Sequence, residues 1–174
     1  MRVIWLKGET DMLGALEEVE SFGEFAKRNN AVASTDVKSF EHLICTEQLS
    51  RRLGFKVGEE LIRVVRVRSL NGNARQVDHG YFLESIAKGL TPEIAAKSIY
   101  DYLEHKRGVK VMASRRTVSV ELANDEDCSY LDLGKYNCVA VMESQSYTSD
   151  GILFEVTHAR THPEIFHYRV NSKR

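Results

Sequence analysis

"LIRVVRVRSLNGNARQVDHGYF", from Leu61 to Phe82, is the stretch on which the fold turns. A β-branched, alternating run meets Asn71-Gly72 and a second such run follows, the pattern of a β-hairpin. Side chains two apart on a strand share a face, so Ile62, Val64, Arg66 and Arg68 point the same way. Two apolar positions lead into two arginines whose Cα atoms lie about 6.5–7 Å apart at strand spacing. Guanidiniums that close repel unless something negative lies near. Two readings are open from the residue types: an exposed ladder paired with acids of a neighbouring strand, or a rigid pair of forks suited to a phosphate.

The place of Asp78 depends on the turn. A two-residue type I′ turn at Asn71-Gly72 sets Arg66 opposite Val77 and puts Asp78 on the other face. A three-residue loop with a bulge at Gly72 moves the register by one, sets Val64 opposite Asp78 and brings Asp78 to the arginine face. Both registers remain open in the sequence.

The surrounding chain bounds the answer. Its 174 residues fit one domain with a real core. With 24 basic against 25 acidic residues, bulk charge does not mark a nucleic-acid binder. No apolar run is long enough to span a membrane and no signal peptide is visible. Cys45, Cys128 and Cys138 are too few and too widely spaced for a disulfide framework or a zinc site, and read as reduced thiols.

Residues 1–20 read as a lead-in. Ser21 opens a short helix, with Glu24 three residues on as in a capping box. A strand follows at Val37–Ile44, then a helix from Thr46 to Gly54, then the hairpin. "TPEIAAKSIYDYLEHKRG" reads as one helix with Thr91 as cap and Gly108 as stop. Lys110–Leu122 is a long strand and Asn124–Gly134 a capped helix. Cys138–Tyr147 and Ile152–Thr161 flank Asp150-Gly151 as a last hairpin. Hairpins imply antiparallel pairing, so the fold class is α+β, with an antiparallel sheet of about six strands flanked by helices.

No motif forces a catalytic reading: there is no phosphate loop, nucleophile elbow or paired-histidine spacing. His158, His162 and His167 fall at spacings that bring no two together on one helix, and Cys128 follows three acids, which raises a thiol pKa. The stronger constellation binds anions. Arg66 and Arg68 are joined by the helix opening at Ser21-Phe22-Gly23, where N–H groups are free, and by the hydroxyls of Ser98 and Tyr100.

At this point the residues look like a known family. "RVRSLNGNARQVDHGYF" resembles the R-x-R-x-x-D-G-x-P-x-x-x-E-x-x-Y stretch of UTRA domains, the effector-binding domains of GntR-type bacterial repressors of the HutC subfamily. "SDGILFEVTHAR" resembles that family's last hairpin and "VESFGEF" its S-F-x-E helix; together they cover residues 19–170. "SIYDYLE" with Gly108-Val109, and "DED" with "LDL" at 131–133, resemble the trehalose-operon repressors of that family. Ala74 and Leu153 stand where the family has prolines, Asn71 where it has the turn aspartate, and Asp78 where it has a longer glutamate.

The resemblance implies a chorismate-lyase-like fold, with residues 1–18 a linker remnant behind an absent winged helix-turn-helix and 19–174 the UTRA domain. It implies a cytoplasmic, non-enzymatic sensor with no cofactor, metal or membrane partner. The effector would be trehalose 6-phosphate, an inducer that releases DNA. Ser21, Phe22, Gly23, Arg66, Arg68, Ser98 and Tyr100 would hold its phosphate; Asp78, Glu155 and Arg160 would contact its sugar. A homodimer would read operator DNA through the absent domain. Two other readings stand beside it: a sensor of another sugar phosphate, such as an amino-sugar phosphate, and an enzyme on the chorismate-lyase fold.

Overall fold

Asn71 and Gly72 form a two-residue turn in which both have positive φ, 50° and 82°, as a type I′ hairpin requires. Leu70 opposes Asn73 and Ser69 opposes Ala74 across it. The register then shifts: Arg68 opposes Gln76, Arg66 opposes Asp78 and Val64 opposes Gly80. Arg75 is the extra residue. Its carbonyl accepts from the His162 N–H at 2.9 Å and its guanidinium pairs with Glu164, so the bulge is fastened to the chain beyond the sheet. Asp78 therefore does share the arginine face. The cause is a bulge within the second strand, not a longer loop, and its partner is Arg66 rather than Val64.

The computed structural model of the chain describes residues 13–14 and 21–168. Its elements run β1 (Leu13–Gly14), α1 (Phe22–Arg28), β2 (Ala33–Ile44), α2 (Glu47–Leu53), β3 (Glu60–Leu70) and β4 (Asn73–Leu83). Then come α3 (Pro92–Ala95), α4 (Ile99–Arg107), β5 (Val111–Leu122), α5 (Asp125–Tyr130), β6 (Cys138–Thr148), β7 (Leu153–Thr161), a 3-10 turn at Pro163–Ile165 and β8 (His167–Tyr168). Six strands form one antiparallel sheet in the order β2-β3-β4-β7-β6-β5. From β4 the chain crosses to the far edge through α3 and α4, and β5, β6 and β7 step back until β7 pairs with β4.

The sheet separates two layers. On one face, Ile62, Val64 and Phe82 pack with Ile99 and Leu103 of α4. On the other, Val65, Val77, Val139 and Val141 pack with Leu131 and Leu133 beyond α5. Burial on both faces explains why Leu61–Val67 of β3 reads as a nearly continuous apolar run broken by Arg63 and Arg66. Gly80 has a packing role: a Cβ there would lie 2.7 Å from the Phe82 ring, which leans across it.

Four sequence expectations change. Leu13–Gly14, within the expected lead-in, pairs in parallel with His167–Tyr168; the rest of the proposed linker, 1–12 and 15–18, lies outside the described residues. β2 begins at Ala33. α5 ends at Tyr130 rather than Gly134, because Leu131 turns extended to enter the core. The single helix expected after Thr91 is two: Ser98 is itself an N-cap, in extended conformation, its hydroxyl accepting from the Asp101 N–H at 3.1 Å. Among the described residues no helix is long and apolar enough to cross a membrane. The three cysteines are free.

Candidate functional site

The face that carries Arg66 also carries, by strand alternation and register, Arg68, Gln76 and Asp78, then Glu155 and Thr157 of β7, Ser144 and Ser146 of β6, and Ser114 and Arg116 of β5. These side chains floor a half-open cavity of ≈ 210 Å³. Its walls come from α1 (Ser21, Phe22, Gly23), the break before α4 (Lys97, Ser98) and Tyr100.

Both guanidiniums hold the Asp78 carboxylate: Arg66 donates at 2.5 Å, and Arg68 donates through Nε at 3.2 Å and a terminal nitrogen at 2.8 Å. Asp78 is 3% exposed and Arg66 2%. Burial alone would raise the Asp78 pKa; the two adjacent positive charges and their hydrogen bonds outweigh it and hold it at about 2. Burial and the neighbouring Arg68 charge push Arg66 down, against the pull of Asp78. One carboxylate does not saturate two guanidiniums. Arg66 Nε is buried with no hydrogen-bond partner among the described residues, and Arg68 lies over the Phe22 ring of α1, 5.1 Å from its centroid.

A second network sits beside the first. Tyr100 donates to Glu155 in a short hydrogen bond and lies 3.0 Å from Ser146 Oγ. Burial raises the Glu155 pKa above the usual carboxylate range, with Asp78 adding to it and the Tyr100 hydrogen bond opposing it. Burial and the Glu155 charge likewise raise Tyr100.

Nine of the ten residues expected at the site line this cavity together: Ser21, Phe22, Gly23, Arg66, Arg68, Asp78, Ser98, Tyr100 and Glu155. Arg160 does not join them. It lies one residue from Ala159 on β7, and alternation sends its side chain to the opposite face. There it bonds Asp127 at 2.9 and 3.0 Å, Glu121 at 2.5 Å and the Leu122 carbonyl at 3.2 Å. Gly23 was expected to keep the backbone open; a Cβ there would meet nothing within 4 Å, so that openness does not depend on glycine. Sequence reasoning missed Lys97, Ser114, Arg116 and Ser144. The signal existed in the alternation of "ASRRT" and "MESQS", but using it needs the pairing of β7 with β4, which no local pattern reveals.

No group of three or more His, Cys, Asp or Glu side chains that could hold a metal occurs among the described residues. The lining holds Arg66, Arg68, Lys97 and Arg116 against Asp78 and Glu155. Such a site suits binding of an anion bearing hydroxyl groups.

Comparison with known proteins gives the family. The HTH-type transcriptional regulator TreR of Bacillus subtilis is 28% identical over 148 residues, covering 85% of this chain and 62% of that protein. The transcriptional repressor NagR of the same organism is 22% identical over 147 residues, covering 84% and 60%. The chain thus spans less than two thirds of these relatives, which are named as regulators and not as enzymes. The solved effector-binding domain of the B. subtilis trehalose repressor superposes with a TM-score of 0.71 at 27% identity, over 81% of this chain and 98% of that one. The family model for the UTRA domain matches residues 28–167, and the chain belongs to the UTRA domain family.

Proposed function

We propose that this chain is the effector-sensing part of a transcriptional repressor and that its effector is a sugar phosphate, trehalose 6-phosphate. One observation carries the reading: four cationic side chains, Arg66, Arg68, Lys97 and Arg116, face two carboxylates, Asp78 and Glu155, in one cavity. The net excess matches a phosphate monoester, which bears about −1.5 to −2 charges at neutral pH.

Arg66 and Arg68 would take phosphate oxygens, the buried Arg66 Nε supplying a donor that Asp78 leaves unused. The α4 N-terminus behind Ser98 adds N–H groups and a favourable dipole. Asp78 and Glu155 would accept from sugar hydroxyls. α1 is anchored by a small cluster, Ala26 with Leu70 and Ile165, and by Phe22 against Arg68. A ligand that takes Arg68 therefore changes what holds α1. In a homodimer reading operator DNA through a separate domain ahead of α1, that movement would reset the DNA-binding units. Binding must favour one arrangement over the other to do so.

Titration calorimetry with trehalose 6-phosphate and with trehalose tests the reading. The phosphate should bind at least about 100-fold more tightly, consistent with charge-assisted hydrogen bonds. Arg66→Ala should lose most of that binding while remaining folded, because Arg68 still holds Asp78. Equal affinity for the two sugars would refute the phosphate assignment. Tighter binding of an amino-sugar phosphate would move the effector to that class.

A further inference from the structure

The cavity extends well past the residues that the phosphate needs. Arg66 sits on β3, and Arg116 sits on β5, four strands away in the sheet order. At about 4.8 Å per strand the floor is roughly 19 Å wide from β3 to β5 and roughly 14 Å from β3 to β6. A hexose ring spans about one such spacing. A hexose phosphate held at Arg66 and Arg68 ends near β7, where Ala159 lies in the Arg66 row and Thr157 one row along. Nothing in it reaches β6 or β5.

Yet the far end is polar and built. Ser144 and Ser114 stand on the same face as Arg66, in adjoining rows of the sheet, and Arg116 lies directly across from Ser144. Ser144 is 7% exposed. Ser114 Oγ is buried with no hydrogen-bond partner among the described residues, although a hydroxyl in that state carries a cost of desolvation. All three line the cavity. A purely structural strand end facing this cavity would satisfy that hydroxyl or be apolar.

We propose that Ser114, Arg116 and Ser144 form a second subsite that recognises the hydroxyls of a distal sugar ring, so that the cavity selects a disaccharide phosphate over a monosaccharide phosphate. The inference rests on the sugar-phosphate reading above and names the part of the ligand that reading leaves unassigned. Arg116 donates to ring hydroxyls as a planar fork, and Ser114 and Ser144 donate and accept beside it. Selection follows because a monosaccharide phosphate leaves this polar end unoccupied.

The test compares trehalose 6-phosphate with glucose 6-phosphate by calorimetry on the wild type, Ser114→Ala and Arg116→Gln. Ser114→Ala removes a hydroxyl without a hydrogen-bond partner among the described residues, so its fold is not at risk. It should weaken trehalose 6-phosphate about three- to tenfold, and Arg116→Gln about 10- to 100-fold. Glucose 6-phosphate should change by less than about twofold in both, since neither group would touch it. Unchanged trehalose 6-phosphate binding in Ser114→Ala, or equal losses for both ligands in Arg116→Gln, overturns the subsite while leaving the sugar-phosphate reading in place. A wild type that binds neither ligand overturns both.

Discussion

On one face of the sheet Arg66 and Arg68 share the single carboxylate of Asp78; on the other, Arg160 alone takes the carboxylates of Asp127 and Glu121. Both clusters are buried, with Arg66 2% and Arg160 5% exposed. They are built with opposite balance. The Arg160 cluster has more acceptors than cations: its guanidinium meets two carboxylates and a backbone carbonyl, and these hydrogen bonds raise its pKa. The Arg66 cluster has more donors than acceptors, a buried Nε without a hydrogen-bond partner among the described residues and a cavity in front of it. The saturated cluster ties α5 to the sheet. The unsaturated one is left able to accept an anion.

The largest effect should come from the saturated cluster. Arg160→Ala leaves Asp127, which is fully buried, with only the capping bonds around Asn124. Removing one partner of a buried ion pair costs about 3–5 kcal/mol, read as a drop in urea unfolding free energy. Trehalose 6-phosphate binding by the folded fraction should be unchanged. A stable Arg160→Ala that loses ligand would erase the distinction between the clusters and return Arg160 to the sugar site.

That outcome separates what the chain revealed from what it concealed. Caps and turns were legible because they are local: Ser21 with Glu24, Thr46 with Gly54, and Asn71-Gly72 each act within a few residues. The arginine pair and its company in α1 and α4 were legible as a family pattern. Arg160 was misplaced because a family position carries no face; the face follows from register, and register here depends on Arg75, held by His162 and Glu164 nearly ninety residues away. The break before Ser98 had a local signal, Ser98 followed three residues later by Asp101, but the helical spacing on either side masked it. Arg116 and the serines of β5 and β6 were hidden for the reason Arg160 was: polar residues on an alternating strand say nothing about which face meets a cavity.

A middle-sized effect separates the clusters by pH. Asp78 titrates near 2 in the folded chain, against 3.8 for an ordinary aspartate. A lowered folded-state pKa gives stability that is present above 3.8 and lost as pH falls through about 2. The difference corresponds to roughly 2 kcal/mol. Wild type and Asp78→Asn should therefore converge in stability across that window, relative to their difference at pH 6, when followed by thermal unfolding at each pH. Parallel curves would mean that Asp78 is not held ionised by the two arginines, and the unsaturated cluster would lose its central charge.

The smallest effect probes the boundary of the unsaturated cluster, where Tyr100 meets Glu155. The tyrosine hydroxyl lowers the Glu155 pKa against the burial that raises it, so its bond favours the ionised carboxylate. Tyr100→Phe keeps the ring beside Phe154, 6.4 Å between centroids, and removes only that donor. The loss should be about 1 kcal/mol where Glu155 is ionised, and smaller as pH falls and Glu155 takes up its proton. The sign follows from linkage: without the donor the folded-state pKa rises further, so the variant is hurt more at high pH than at low pH. Denaturant midpoints followed across a pH series read the difference. A pH-independent loss would mean that Glu155 keeps one protonation state throughout. Held neutral, it would leave four cations facing Asp78 alone, and the cavity would favour phosphate more strongly still.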